Sequence, residues 1–437
     1  MRLERITLIR PNMGNYRSND ALPPLSLAIL AARTPSNISV TFYDDRVETI
    51  PPEDTPDLVA LSVETFTARR AYEIAADYRR RGVTVVMGGY HPTLMGEEVL
   101  EHADAIVIGD AEGCWETMLD DFRHQKLQRR YSGGNDRPLD DYRMDRTIFA
   151  GKKYVPVELV QYSRGCRFTC EFCSIDAFYR HRVRVRPVQS VVDEIMGLDR
   201  KKLLFFVDDN LFSSKKELYA LLDAITPLKV RWSCQISSDV ARDEELLDRL
   251  RASGCIFVLI GFESLSEENL KQMGKSWNKV SGEYLEIVRK FHRRGMAVYG
   301  TFVFGYDHDT PELIEKSLDF ALKAKLEIAN FNPLTPTPGS ALYDRLKKEG
   351  RLIKEEWWKD PSYRYGDPIL VPRLMSPEQF AQKCFEAKKR FYAWDSIARR
   401  LLFSRTRFNL FRFGIVLLAN VVSRTEVLRK QHKQLGE

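Results

Sequence analysis

Short unbroken apolar runs, separated by stretches with mixed polarity, dominate the first 125 residues. The runs are Ile6 to Ile9, Val40 to Tyr43, Leu58 to Val63, Val83 to Met87 and Ala105 to Ile108. They are rich in β-branched residues and uninterrupted, as expected of strands covered on both faces. Between two of them, Ala68 to Arg80 reads as a helix with a polar outer face. Alternating strand and helix predicts a doubly wound parallel sheet of α/β class, whose ligands bind beyond the carboxyl ends of the strands. Glycines stand at those ends, in Pro11-Asn12-Met13-Gly14, Gly88-Gly89-Tyr90-His91-Pro92 and Gly109-Asp110-Ala111-Glu112. Without a Cβ they let a large flat ligand approach the backbone.

Residues 126–153 are polar and irregular and read as a linker. Six further strand-like runs follow over 154–345: Val157 to Gln161, Leu203 to Val207, Val230 to Ile236, Phe257 to Gly261, Ala297 to Phe304 and Ile328 to Phe331. From 346 to 437 the pattern is helical. Ser376-Pro377 is a helix start, and Phe380, Cys384, Ala387, Phe391 and Trp394 recur at helical spacing, a stripe expected to pack on the preceding body. Phe408 to Val422 is markedly apolar, but it falls short of a membrane span and contains Arg412.

Composition is that of a globular chain, 44% hydrophobic and 29% charged. The net charge of +6 is concentrated at one end: Ser396 to Glu437 holds nine Lys or Arg against two Glu. An apolar stretch with basic flanks either lies on an anionic membrane surface or covers the mouth of the preceding body. The body has no basic patch with interleaved aromatics, so nucleic acid is not an expected partner. The opening Met1-Arg2-Leu3-Glu4-Arg5 lacks the pattern of a signal leader, and a cytoplasmic location is expected.

Seven cysteines are present, and Cys114, Cys234, Cys255 and Cys384 stand singly, as small buried residues do. The other three form Cys166-x3-Cys170-x2-Cys173. Three thiolates on one short loop suit a [4Fe–4S] cluster with one iron left open. A zinc site with His181 as fourth ligand is the rival reading, although zinc motifs usually set their ligands as two separated pairs.

The cysteine spacing, with Phe172 before the last Cys, resembles the motif of the radical S-adenosylmethionine (radical SAM) superfamily. Together with Pro23-Pro24-Leu25-Ser26-Leu27-Ala28, the Gly88-Gly89 stretch and Ile108-Gly109-Asp110-Ala111-Glu112, the chain resembles the cobalamin-dependent enzymes of that superfamily over nearly its whole length. The resemblance implies a Rossmann-like cobalamin-binding domain at 1–125 and a partial (β/α)6 radical SAM barrel at 154–345, followed by a helical segment. It implies a cluster held by Cys166, Cys170 and Cys173, with SAM on the open iron. Function in such barrels sits at the C-terminal strand ends, which selects Asp208, Asp209, Ser237 and Glu263, with Phe172, as SAM contacts. Strand-end acids also cap following helices, an equally simple role. Gly88, Gly89, His91, Gly109 and Glu112 are the implied cobalamin contacts. No Asp-x-His-x-x-Gly occurs before the cysteines, so no histidine is expected on cobalt. Arg182, Arg184 and Arg186 either face a carboxylate or a cofactor phosphate, or form a solvated face.

The implied activity is reductive cleavage of SAM to a 5′-deoxyadenosyl radical and methylation of an unactivated carbon of a small molecule, lipid or natural product. Oxidative cyclisation or rearrangement without methyl transfer is the alternative. No catalytic residue beyond the cluster ligands is required, and an electron donor such as flavodoxin or ferredoxin is implied.

Overall fold

A computed structural model describes residues 3–14, 16–212, 214–278, 283–403 and 409–435. The chain builds β1 (Arg5–Arg10), β2 (Ser39–Asp44), β3 (Leu58–Ser62), β4 (Thr84–Gly88), β5 (Ala105–Gly109) and β6 (Arg130–Gly134) into one parallel sheet ordered β2-β1-β3-β4-β5-β6. Helices Ala68–Arg80 and Gly96–His102 cover one face, and Leu25–Arg33 and Trp115–Arg123 the other. The order changes direction between β1 and β3, which opens a crevice at their carboxyl ends.

Strand β6 lies inside the stretch expected to be a linker. It pairs with β5 from Ile106 opposite Arg130. Its residues Arg-Tyr-Ser-Gly-Gly alternate exposed and buried and include no apolar run, so the pairing comes from the neighbouring strand and not from local propensity.

A second parallel sheet is ordered β14-β13-β12-β11-β10-β7. Its members are β7 (Val157–Val160), β10 (Leu203–Phe206), β11 (Arg231–Gln235), β12 (Cys255–Glu263), β13 (Ala297–Phe304) and β14 (Ile328–Pro333). All six expected βα units are present. Two short antiparallel strands, β8 (Ser163–Arg164) and β9 (Arg184–Val185), tie together the base of the cysteine loop. Gly165 opens that loop at φ +87°, and a Cβ there would stand 1.9 Å from the Arg182 carbonyl oxygen. Only glycine fits.

The chain beyond the barrel is not a separate unit. Trp357 and Trp358 are buried, and with Leu435 they join the hydrophobic core of the first sheet. Helix Pro377–Phe391 is capped by Ser376, whose Oγ accepts from the Gln379 amide at 3.2 Å, and it buries Phe380, Cys384, Ala387 and Phe391. Trp394 departs from the expected stripe: it is 57% exposed. It begins the next helix, Trp394–Phe403, so the phase of the first helix no longer applies.

Helix Leu410–Lys430 packs Val416 against Ala297, Ile397 and Leu401; Phe408 lies outside the described residues. Arg412 donates to the Gly295 carbonyl, Arg424 to that of Tyr392 (2.9 Å), and Lys430 to Asp20 (2.8 Å). Much of the basic excess is therefore held on the protein's own surface. Among the described residues, no helix is long and apolar enough to cross a membrane.

Candidate active site

The loop from Gly165 to Cys173 crosses the carboxyl end of the second sheet, and acids at the end of β10 hold its backbone. Asp208 Oδ2 accepts from the Tyr162 amide (3.1 Å), and its Oδ1 accepts from the Ser163 amide and from Ser163 Oγ (2.5 Å). Asp209 Oδ2 accepts from the Gly165 amide at 2.8 Å. Burial pushes the Asp208 carboxyl up to about 7 and that of Asp209 up to about 6, against the donors that favour the charged form. Both acids were expected to contact SAM. Asp208 is enclosed, with both oxygens taken by the loop. Asp209 keeps one oxygen for the same purpose.

Removing this support has a measurable consequence. Asp208→Ala leaves three buried donors without an acceptor, a loss of about 3 kcal/mol, and should lower both the urea midpoint and the iron content. The pH dependence follows from the sign of the shift. A carboxyl raised from 3.8 in the unfolded chain to about 7 when folded stabilises the fold below the lower value and loses that contribution as pH rises through the upper one. Urea midpoints should fall between about pH 5 and 7.5 in the parent chain and fall less in Asp208→Asn. Equal slopes would contradict this.

Asn210 reaches from the same strand end to the cluster loop. Its Nδ2 lies 3.9 Å from Cys166 Sγ and donates to Ser237 Oγ at 3.3 Å. Glu263 sits at φ +66°, where the pairing of β12 with β13 slips by one residue, a bulge that redirects its side chain. Its Oε1 accepts from Lys275 Nζ at 2.7 Å. Lys275 was not anticipated. Burial alone would lower its pKa, but Glu263 and the thiols of Cys170 and Cys173 raise it above the ordinary value. Its ammonium is 5.7 Å from the Phe172 ring. The turn that carries it needs Gly274 at φ +77°, since a Cβ would approach Thr169 O at 2.8 Å. A glycine just past helix Glu267–Gln272 was the available signal.

All three loop cysteines are free thiols. Burial raises Cys170 to about 12 and Cys173 to about 11, so a metal must displace their protons. His181 Nδ1 is paired with Asp176 and does not complete a zinc set. Among the described residues, no three His, Cys, Asp or Glu side chains are grouped as ligands of a single ion. Three soft thiols without a fourth fit a cluster with one open iron.

A cleft of about 370 Å3 lies at the carboxyl end of the first sheet, lined by Gly88, Gly89, Gly109 and Glu112 among others. Gly89 has φ +111°, and a Cβ would press on Val63 O at 2.8 Å; one at Gly109 would meet Asn135 Oδ1 at 2.7 Å. The strand ends form a bare backbone cradle, which suits the flat face of a corrin. His91 does not line it. Its buried ring lies 3.1 Å from Tyr72 Oη and 3.4 Å from Glu98 Oε1. Glu98 also accepts from Trp358 Nε1 at 2.9 Å, so His91 belongs to the joint between the first sheet and the post-barrel chain. The opposite wall of the cleft is Phe178 and Tyr179, on the helix that starts directly after Cys173.

One arginine joins the cleft to the cluster loop. Arg164, two residues before Cys166, is buried and donates to Glu112 Oε1 (2.6 Å), while its Nη1 lies 3.1 Å from Asp110 Oδ2. Arg184 pairs with Asp110 as well. Arg186 pairs with Glu194 (2.5 Å), and Arg182 is exposed. All three arginines singled out meet carboxylates, Arg182, the most exposed of them, through Asp136 Oδ2 at 3.7 Å.

Family comparisons agree with this geometry. Residues 160–321 match the radical SAM superfamily and residues 19–118 the B12 binding domain. The chain is 30% identical to the bacteriochlorophyllide d C-12(1)-methyltransferase of Chlorobaculum tepidum over 390 residues, 86% of this chain and 84% of that one. It is 28% identical to the C-8(2)-methyltransferase of the same organism, covering 94% of each. The solved radical SAM methyltransferase TsrM from Kitasatospora setae, with cobalamin and a [4Fe–4S] cluster, matches at TM-score 0.65 and 18% identity over 87% of this chain and 85% of that one. With a three-cysteine loop facing a glycine-floored cleft, and a relative at this identity along most of its length, the chain belongs to the cobalamin-binding radical SAM enzymes, whose cofactors are a [4Fe–4S] cluster, SAM and cobalamin.

Proposed function

We propose that this protein is a C-methyltransferase acting on a small molecule. The observation that carries the reading is the interface at which Arg164 binds the cleft carboxylates two residues from a cluster cysteine. The bound groups would supply a carbon-centred radical from SAM and a methyl group for transfer. Cys166, Cys170 and Cys173 are the proposed cluster ligands. Phe172, Asn210, Ser237 and Glu263 with Lys275 are proposed to shape the SAM side. Gly88, Gly89, Gly109 and Glu112 are proposed to floor the corrin cleft. These residues bind, orient and exclude water, and the chain needs no acid or base of its own for the transfer.

Methyl transfer is preferred to cyclisation because both relatives reported above are methyltransferases. Turnover with a strong reductant or with flavodoxin, followed by mass spectrometry, decides it: the product should gain one CH2. A product that loses hydrogen with no added carbon would establish the cyclase reading.

Contact with a membrane surface is retained only for the exposed leucines of helix Leu410–Lys430. Leu410 is 86% and Leu418 51% exposed, and basic residues flank the apolar stretch. Leu410→Ser with Leu418→Ser should reduce flotation with anionic liposomes. Unchanged flotation would remove this contact from the account.

A further inference from the structure

A second cavity, of about 380 Å3, sits at the carboxyl ends of β13 and β14. It is separate from the corrin cleft in its lining, and two of its side chains lie close in sequence to residues of the cofactor sites. Phe172 stands between Cys170 and Cys173 in the cluster loop. Phe66 stands two residues after Glu64, which lines the cleft.

The walls are chemically mixed in an informative way. Four aromatic rings contribute: Phe66, Phe172, and Tyr363 and Tyr365 from the post-barrel chain, with Phe66 and Tyr365 centroids 6.0 Å apart. Among them stands one cation, Lys388, half-buried and without an ion pair among the described residues. Asn332, at the end of β14, makes no side-chain hydrogen bond among the described residues and also lines the space. Asp367, the acid of the lining, is turned to its own loop: Oδ2 accepts from the Arg364 amide at 2.9 Å, and Oδ1 lies 3.5 Å from His432 Nδ1.

A saturated hydrocarbon here would offer neither the ammonium nor the amide a hydrogen-bond partner. A flat conjugated ring stacks on the aromatic walls, and a carboxylate on that ring satisfies Lys388 in a charge-assisted hydrogen bond. We propose that this cavity is the substrate site and takes a flat conjugated ring acid, with Lys388 binding its carboxylate; a tetrapyrrole acid is the ring tested, since both relatives reported above are bacteriochlorophyllide methyltransferases. The inference rests on the methyltransferase reading and narrows its substrate.

The test uses the anaerobic holoenzyme and measures retention of protoporphyrin IX and of its uncharged dimethyl ester by ultrafiltration. The parent protein should bind the acid about tenfold more tightly than the ester, the effect of one charge-assisted bond. Lys388→Ala should weaken the acid by the same factor and leave the ester unchanged, while Lys388→Arg restores most of the difference. Equal affinity for acid and ester, equal weakening of both by Lys388→Ala, or no porphyrin retained at all would overturn the proposal. SAM cleavage by the parent protein is recorded alongside. A protein that cleaves SAM and ignores porphyrin loses only this inference, whereas one that never cleaves SAM loses the functional reading beneath it.

Discussion

Cys170→Ala is expected to reduce SAM cleavage to background while leaving cobalamin stoichiometry unchanged. Cys170 is 7% exposed and sits in the middle of the ligand loop. Two thiols remain after the substitution, too few to hold a cube with one open iron. Removing one buried sulfur atom costs about 1 kcal/mol in a typical core position, and the glycine-floored cleft draws nothing from this side chain. Iron, sulfide and cobalt counts, with 5′-deoxyadenosine measured under dithionite, separate the two sites. A variant that keeps its cluster and cleaves SAM would contradict the ligand assignment.

Arg164→Ala carries the second large effect. The guanidinium is buried between two acids, and although burial alone would depress its pKa, Glu112 and Asp110 hold it well above the ordinary range. Removing it leaves Glu112 without this partner, whereas Asp110 retains Arg184 and the Tyr179 hydroxyl at 3.3 Å. Breaking a buried ion pair in this way costs about 3–5 kcal/mol, so a clear fall in melting temperature is expected. Because the pair joins the two cofactor bodies, methylated product should fall by more than 5′-deoxyadenosine. Lys at this position should not restore the ratio, since one ammonium cannot present the forked donors that span two carboxylates. An unchanged ratio and melting temperature would show that the Arg164 pair neither stabilises the fold nor couples the two sites.

The parts legible in the sequence are those whose causes are local. Strands buried on both faces announce themselves as β-branched runs, and all eleven runs identified became strands of the two sheets. The cysteine loop is legible because its ligands lie within eight residues of one another. What escaped depends on partners distant in sequence. Arg164 takes its meaning from Asp110 and Glu112, and Trp358 from Glu98, 260 residues away. His91 stands in a glycine-rich motif that suggests ligand contact, but the Tyr72 hydroxyl and Glu98 hold its ring in the core. Asp208 shows the same limit. A strand-end acid can face a ligand or a backbone, and only the path of the loop across the sheet decides between them.

The most direct test is anaerobic reconstitution of the full chain with iron, sulfide and hydroxocobalamin, followed by metal analysis and turnover with SAM under reductant. One cobalt and one [4Fe–4S] cluster per chain, with SAM converted to 5′-deoxyadenosine, is the expected result. A chain that takes up cobalamin but assembles no cluster, or holds a cluster that leaves SAM intact, would contradict the account at its centre.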